Sequence, residues 1–264
     1  MRRVPFLLLA GSIALFAYSD GDLDGVDDMV DLCPNTPIMD LVDPSGCTIR
    51  SLVREEHFDI VVGAGFGRFD DRLSRKSEIV TASFQVDYYK EEVSLQLRSA
   101  YLEGDDFAGM DDTTLALYYR WELSHRLTLM TGAAIVFPTY SADTGGNETD
   151  YTLSANLSYT FGRYDLFGGG SYTLVGDDDT SDTEYRNVKA FSVGAGLYVT
   201  QSLYASLSYG RTDSIDRSVE AIESLSLYLF RAVDRHWFVT FECVTGLSDT
   251  AGDYRGELKV GYYF

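Results

Sequence analysis

The chain has 264 residues, 41 acidic against 21 basic side chains, and a formal net charge of −20. That balance argues against a nucleic-acid partner, because phosphate binding needs clustered Lys and Arg, and a content of 45 % hydrophobic residues with 19 Tyr and 15 Phe argues against a disordered acidic chain. No run of about 18 apolar residues follows the N-terminus, which leaves a soluble β-rich protein or one that meets a membrane as strands.

Arg2 and Arg3 precede a short apolar core from Val4 to Ala17, and Ala17 and Ser19 suit a cut after Ser19. A basic start, a core too short to anchor and a small-residue site make residues 1–19 a secretory signal peptide. Cys33 and Cys47 lie in a Pro- and Asp-rich stretch, where an exported protein can hold a disulfide. Cys243 stands alone in an apolar strand, as a buried or lipid-facing thiol.

Residues 20 to 31 place carboxylates at positions 1, 3, 5 and 12 of a loop, with Gly25 at position 6, which is calcium-loop spacing. A hard dication needs six to eight oxygens, and alternate Asp side chains in a curled loop point inward together. Asp20, Asp22 and Asp24 supply carboxylates and Val26 its carbonyl, while Asp28 acts through water. Asp31 closes the loop with a shorter reach than the usual Glu. The competing reading of the same run is a solvated acidic linker.

The residues that follow, Cys33-Pro34-Asn35-Thr36-Pro37 and then Val42-Asp43-Pro44-Ser45-Gly46-Cys47, continue the pattern. Together with the Asp ladder they resemble the thrombospondin type 3-like calcium repeat, which in bacteria commonly sits beside outer-membrane barrels of the OmpA type. The resemblance implies Ca2+ at Asp20, Asp22, Asp24, Val26 and Asp31, and a Cys33–Cys47 bond. Residues 20–49 are read as this single repeat and residues 50–56 as a tether.

From His57 to Phe264 the chain alternates apolar with small or polar residues at period two. The first run sets Phe58, Ile60, Val62, Ala64 and Phe66 against Asp59, Val61, Gly63, Gly65 and Gly67; the last ends Leu258-x-Val260-x-Tyr262-Tyr263-Phe264. About twelve such runs occur, most of them about 9–11 residues long, the length of a tilted strand crossing a bilayer. Short connections such as Lys90-Glu91-Glu92 and Gly162-Arg163 alternate with long acidic ones, as in an up-and-down barrel with short periplasmic turns and long external loops. The fold class expected is all-β, a transmembrane antiparallel β-barrel of about twelve strands in the outer membrane of a Gram-negative cell, preceded by a periplasmic calcium-binding segment. Ten or fourteen strands, or a soluble β-sandwich, are the alternatives.

Aromatics near strand ends suit two interfacial girdles, with Tyr88, Trp121, Phe161, Tyr198, Phe230 and Trp237 expected on the short-turn side. A terminal Phe264, with Tyr262 on the same face, resembles the signal by which barrel-assembly machinery recognises its clients. His57, His125 and His236 all fall at short-turn ends, so no catalytic residue is assigned and no enzyme is expected. The inner face combines small residues (Gly63, Gly132, Ser154, Gly169, Ser171, Ser192, Gly194 and Gly196 among them) with the charges Arg98, Arg120, Glu242, Arg255, Glu257 and Lys259. The leading expectation is a narrow non-enzymatic pore for small polar solutes, with Arg98, Glu242, Glu257 and Lys259 at its waist. The alternative is a structural or interaction protein whose lumen charges pair and seal it, and whose acidic external loops bind divalent cations, lipopolysaccharide or partners.

Overall fold

The computed structural model describes residues 20–22, 24–28, 30–33, 36, 40–42, 44–51, 56–69, 77–105, 107–139, 148–180 and 183–264. The expected signal peptide and most of the tether lie outside them. The N-terminal segment forms a small antiparallel hairpin, β1 (Asp40–Val42) with β2 (Thr48–Ser51), in which Leu41 stands opposite Arg50.

Thirteen further strands follow in chain order. They are β3 (Glu56–Phe69), β4 (Ser77–Lys90), β5 (Val93–Gly104), β6 (Ala108–Met110), β7 (Thr113–Ser124), β8 (Leu127–Phe137), β9 (Asp150–Phe161), β10 (Tyr164–Leu174), β11 (Val188–Thr200), β12 (Leu203–Thr212), β13 (Ile222–Ala232), β14 (Trp237–Gly246) and β15 (Tyr254–Tyr263). Leaving aside the short β6, which only extends the loop after β5, twelve of them pair antiparallel with their neighbours, and β15 returns to β3 with Leu258 opposite Ala64. The sheet is therefore a closed ring with no free edge, the form in which strands satisfy every backbone group inside lipid. Alternate connections are tight, and the two-residue turns at Glu91-Glu92 and Gly162-Arg163 place Glu91 and Gly162 at φ 52° and 56°.

The distribution of exposure is inside-out. Val62 is 53 % exposed, Leu153 63 % and Leu258 51 %, while Val61, one step along from Val62, is 5 % exposed. Large apolar side chains occupy the outer face of strand after strand, a surface that water would penalise and acyl chains accept. This excludes the soluble sandwich.

On the outer face near the short turns, Trp121 lies against Tyr119 at a tilt and donates its indole N–H to Thr131, and Trp237 meets Tyr262 edge-on. Tyr198 and Phe230 are not part of that girdle. They lie one residue out of phase with the outward Leu197 and Leu229 and point into the barrel, where Tyr198 touches Tyr204 and Phe230 stacks on Phe238.

Candidate functional site

The inner wall is built from glycines and the rings that lie on them. A Cβ on Gly132 would collide with Tyr118, one on Gly194 with Phe167, and one on Gly261 with Phe238. Each of these rings stands directly across the ladder from its glycine. A Cβ on Gly196 would strike the Tyr204 ring, which sits one diagonal step away on β12. The small residues expected to widen the bore therefore serve in part as seats for aromatics.

A belt of inward aromatics gathers at the short-turn end. Tyr198, Tyr204 and Tyr228 run across β11 to β13 with ring separations of 4.9 and 6.5 Å. Phe230, Phe238, Tyr263, His57 and Tyr89 continue the belt across β13, β14, β15, β3 and β4. Tyr204 donates to Asp165 Oδ2 at 3.1 Å and Thr160 to Asp165 Oδ1 at 3.1 Å, so the carboxylate is held by two hydroxyls. The three histidines lie at this end as expected, His57 stacked on Tyr89 and His236 on Tyr262.

Beside the belt the lumen opens into a cavity of about 590 Å³, lined by Gln96, Tyr118, Met130, Ser154, Asn156, Ser171 and Ser192, among others. The expected small wall of β9 to β11 does line it. The six expected lumen charges share the inner face, and of the four expected at a waist Glu242, Glu257 and Lys259 are held in ion pairs while Arg98 is not. Arg255 pairs with Glu242 at 3.9 Å, and Lys259 with Glu257 at 3.2 Å, where Glu257 also accepts from the Ser83 hydroxyl. Gly63 leaves room for that group, since a Cβ there would meet Ser83 and Lys259. Arg98 and Arg120, on β5 and β7, are exposed within the bore and have no ion pair among the described residues.

One feature of the wall was not legible as a pair. Asp59 and Asp87 face each other across β3 and β4, both buried. Gln96 and Gln85 donate to the two oxygens of Asp87 at 2.8 and 2.6 Å, whereas Asp59 Oδ1 is buried with no hydrogen-bond partner. Period-two reading puts both on the inner face, but only the register of two strands shows that they meet.

In the N-terminal segment, Cys33 and Cys47 form a disulfide with a Cα–Cα distance of 5.0 Å. Gly25 has φ 93°, so the turn expected there is made. Side-chain oxygens of Asp20, Asp22 and Asp24 lie within 4.8 Å of one another. Asp24 Oδ2 and Asp31 Oδ2 are buried without hydrogen-bond partners, and Gly46, at φ 78°, lies against both carboxylates. Burial pushes the Asp24 carboxyl above its usual range; the Val26 N–H opposes the shift, and the charges of Asp22, Asp31 and Asp20 add to it. Asp20 accepts from the N–H groups of Asp24 and Gly25, and Asp28 accepts from Gly21 at 2.8 Å. Converging carboxylates with orphaned oxygens are the donor set a hard dication takes, so these residues fit calcium.

Residues 49–217 match the family described as "Putative MetA-pathway of phenol degradation". No curated protein matches the chain. Among solved structures, an outer membrane channel from Pseudomonas putida F1 has a TM-score of 0.62 at 13 % identity, covering 80 % of this chain and 97 % of that one. The NanC porin has a TM-score of 0.57 at 13 % identity, covering 78 % and 98 %. The KdgM porin, solved with disordered oligogalacturonate, has a TM-score of 0.50 at 10 % identity, covering 78 % and 99 %. Identities this low show the fold alone, and that fold is an outer-membrane barrel of the kind that channels and porins use.

Proposed function

The chain belongs to the MetA-pathway of phenol degradation family, and on that footing we propose that it is a non-enzymatic outer-membrane channel for small amphipathic or polar solutes. An aromatic ring that carries a hydroxyl is the type. The observation that carries this reading is the cavity wall, where Tyr118 and Met130 offer apolar contact beside the hydroxyls and amide of Ser154, Ser171 and Asn156. Such a mixture solvates both ends of a phenol-like molecule without holding it tightly. The test is planar-bilayer conductance of the purified protein, with phenol flux into proteoliposomes measured beside it. A silent bilayer at high protein load, with no flux above empty vesicles, ends the channel reading.

The second reading, a closed structural barrel, is favoured by the aromatic belt and by the Glu242–Arg255 and Glu257–Lys259 pairs. Its acidic loops would then meet divalent cations, lipopolysaccharide or partners. Several loop carboxylates are already engaged by backbone, however: Asp150 accepts from Gly176, Asp177 from Glu148 and Asp179 from Tyr185. A deletion strain with a leaky surface and unchanged solute uptake would favour this second reading.

For the N-terminal segment we propose a periplasmic calcium site at Asp20, Asp22, Asp24, Asp31 and the Val26 carbonyl, with Asp28 acting through water. The orphaned oxygens of Asp24 and Asp31 support it. Calcium would supply the counter-charge that folds a segment with almost no apolar core. Tyr262 and Phe264 are proposed as the handle for the barrel-assembly machinery.

A further inference from the structure

We propose that the facing carboxylates of Asp59 and Asp87 bind a divalent cation of the magnesium class on the inner wall of the barrel. The inference goes beyond the channel reading and stands whether or not the lumen conducts. The two residues are partners in the β3–β4 register and are 4 % and 3 % exposed. Opposite residues in an antiparallel ladder have Cβ atoms about 4.5–5.5 Å apart, near enough for one ion to touch both carboxylates. Neither aspartate forms an ion pair among the described residues. Arg98 stands opposite Gln85 rather than either of them, and His57 stacks on the Tyr89 ring. Two carboxylates side by side repel, and a buried charge is costly unless it is paired.

The atom that points to a ligand is Asp59 Oδ1. It is buried and accepts no hydrogen bond among the described residues, although a carboxylate oxygen has two acceptor sites. Asp87 is fixed in place without being neutralised. Gln96 donates to its Oδ1 at 2.8 Å and Gln85 to its Oδ2 at 2.6 Å, which leaves each oxygen a second acceptor site. Asp87 and Gln96 also line the lumen cavity, so water from the bore supplies the rest of a coordination shell. Magnesium suits this arrangement: it is held through one or two carboxylates, keeps several waters, and its charge balances the pair. Calcium takes six to eight oxygens, more than this part of the wall brings together. An ion here ties β3 to β4 through side chains, on the strand next to the β15–β3 seam where the ring closes.

The experiment measures urea unfolding of the full chain, read as the heat-modifiable band of the barrel, in chelator and in Mg2+ alone. The background is Asp24→Asn, which weakens the separate acidic site of the N-terminal segment. Saturating Mg2+ is expected to raise the folded-to-unfolded ratio of this protein about tenfold or more. Adding Asp59→Asn is expected to cut that gain at least several-fold. In chelator Asp59→Asn also removes the unpartnered oxygen, so the increment on adding Mg2+, not the absolute midpoint, carries the test. A second measurement needs no unfolding: Mn2+ replaces Mg2+, and loss of the free-ion electron paramagnetic resonance signal counts bound metal. One more bound ion is expected in Asp24→Asn than in Asp24→Asn/Asp59→Asn. If Asp59→Asn yields no folded band, Asp59→Ser takes its place. An equal Mg2+ gain with and without the Asp59 carboxylate overturns the site, as do equal Mn2+ counts. No gain in the Asp24→Asn protein itself also overturns it and leaves a proton shared between the two carboxylates.

Discussion

Asp59 stands directly across the β3–β4 ladder from Asp87, and the two carboxylates are only 4 % and 3 % exposed. Asp87 is solvated by the Gln85 and Gln96 amides, but Asp59 Oδ1 has no donor. A buried polar atom without a partner costs about 1–3 kcal/mol. Asp59→Asn removes the charge and brings a donor toward Asp87, so it is expected to stabilise the barrel by about that amount. Asp87→Asn takes an acceptor from two amides and is expected to destabilise it. Urea titration of the folded, heat-modifiable band reads both; an Asp59→Asn protein weaker than the unaltered one would show that Asp59 has a partner of its own.

Gly196 carries the Tyr204 ring, and Tyr204 in turn holds Asp165. Ala at 196 must push that ring off its seat and loosen the carboxylate, an overpacking loss of about 1–3 kcal/mol. Gly256 is the internal comparison, since a Cβ there meets nothing within 4 Å. Gly256→Ala is therefore expected to leave the urea midpoint unchanged or slightly raised. Equal losses at the two positions would remove the ring-on-glycine account of the wall.

These two sites mark how far the sequence could be read. Alternation along one strand tells which side chains share a face, and it gives about twelve strands, the long and short connections, and the inward position of Gly196, Asp59 and the six lumen charges. It could not tell what covers Gly196, because Tyr204 comes from the neighbouring strand and register is a non-local property. The same gap hid the Asp59–Asp87 pair and separated Arg98 from the paired Glu257 and Lys259. Tyr198 and Phe230 were misplaced for a different reason: an aromatic near a strand end suggests an interface, but one step of phase turns it inward.

Arg98 and Lys259 illustrate two kinds of lumen charge. Lys259 is neutralised by Glu257 at 3.2 Å, while Arg98 has no ion pair among the described residues. An unpaired charge acts on passing ions over about a Debye length, roughly 8–10 Å in ordinary salt. Arg98→Glu is thus expected to move the reversal potential in a salt gradient toward cation preference. Lys259→Met/Glu257→Met removes a pair with no net charge and is expected to move it far less. Equal shifts in the two proteins would place the selective charge elsewhere.

Calcium removal should act on the N-terminal segment and spare the barrel. With chelator, protease cleavage within residues 20–50 is expected to speed up at least several-fold, while the heat-modifiable band of the barrel stays intact. Asp24→Asn should cleave at the fast rate with or without calcium, because it weakens one of the two orphaned oxygen sites. Equal digestion with and without chelator would refute the calcium site and leave the acidic linker.

Phe264 closes the ring against the first barrel strand. Its ring stacks on Phe58 at 4.4 Å, and its N–H donates to the Phe58 carbonyl at 3.0 Å. This seam joins the two ends of the barrel sequence, so it carries the largest loop-closure entropy of any strand pairing in the ring. Losing the aromatic contact costs about 0.5–1.5 kcal/mol beyond the buried area. If the contact acts only as a seam, Phe58→Ala and Phe264→Ala should slow refolding into detergent by the same factor and lower cellular yield equally. If Phe264 is also the handle for assembly machinery, the two proteins should still refold alike in detergent, but Phe264→Ala should accumulate several-fold less in membranes. Equal cellular yields would assign Phe264 to ring closure and remove the handle.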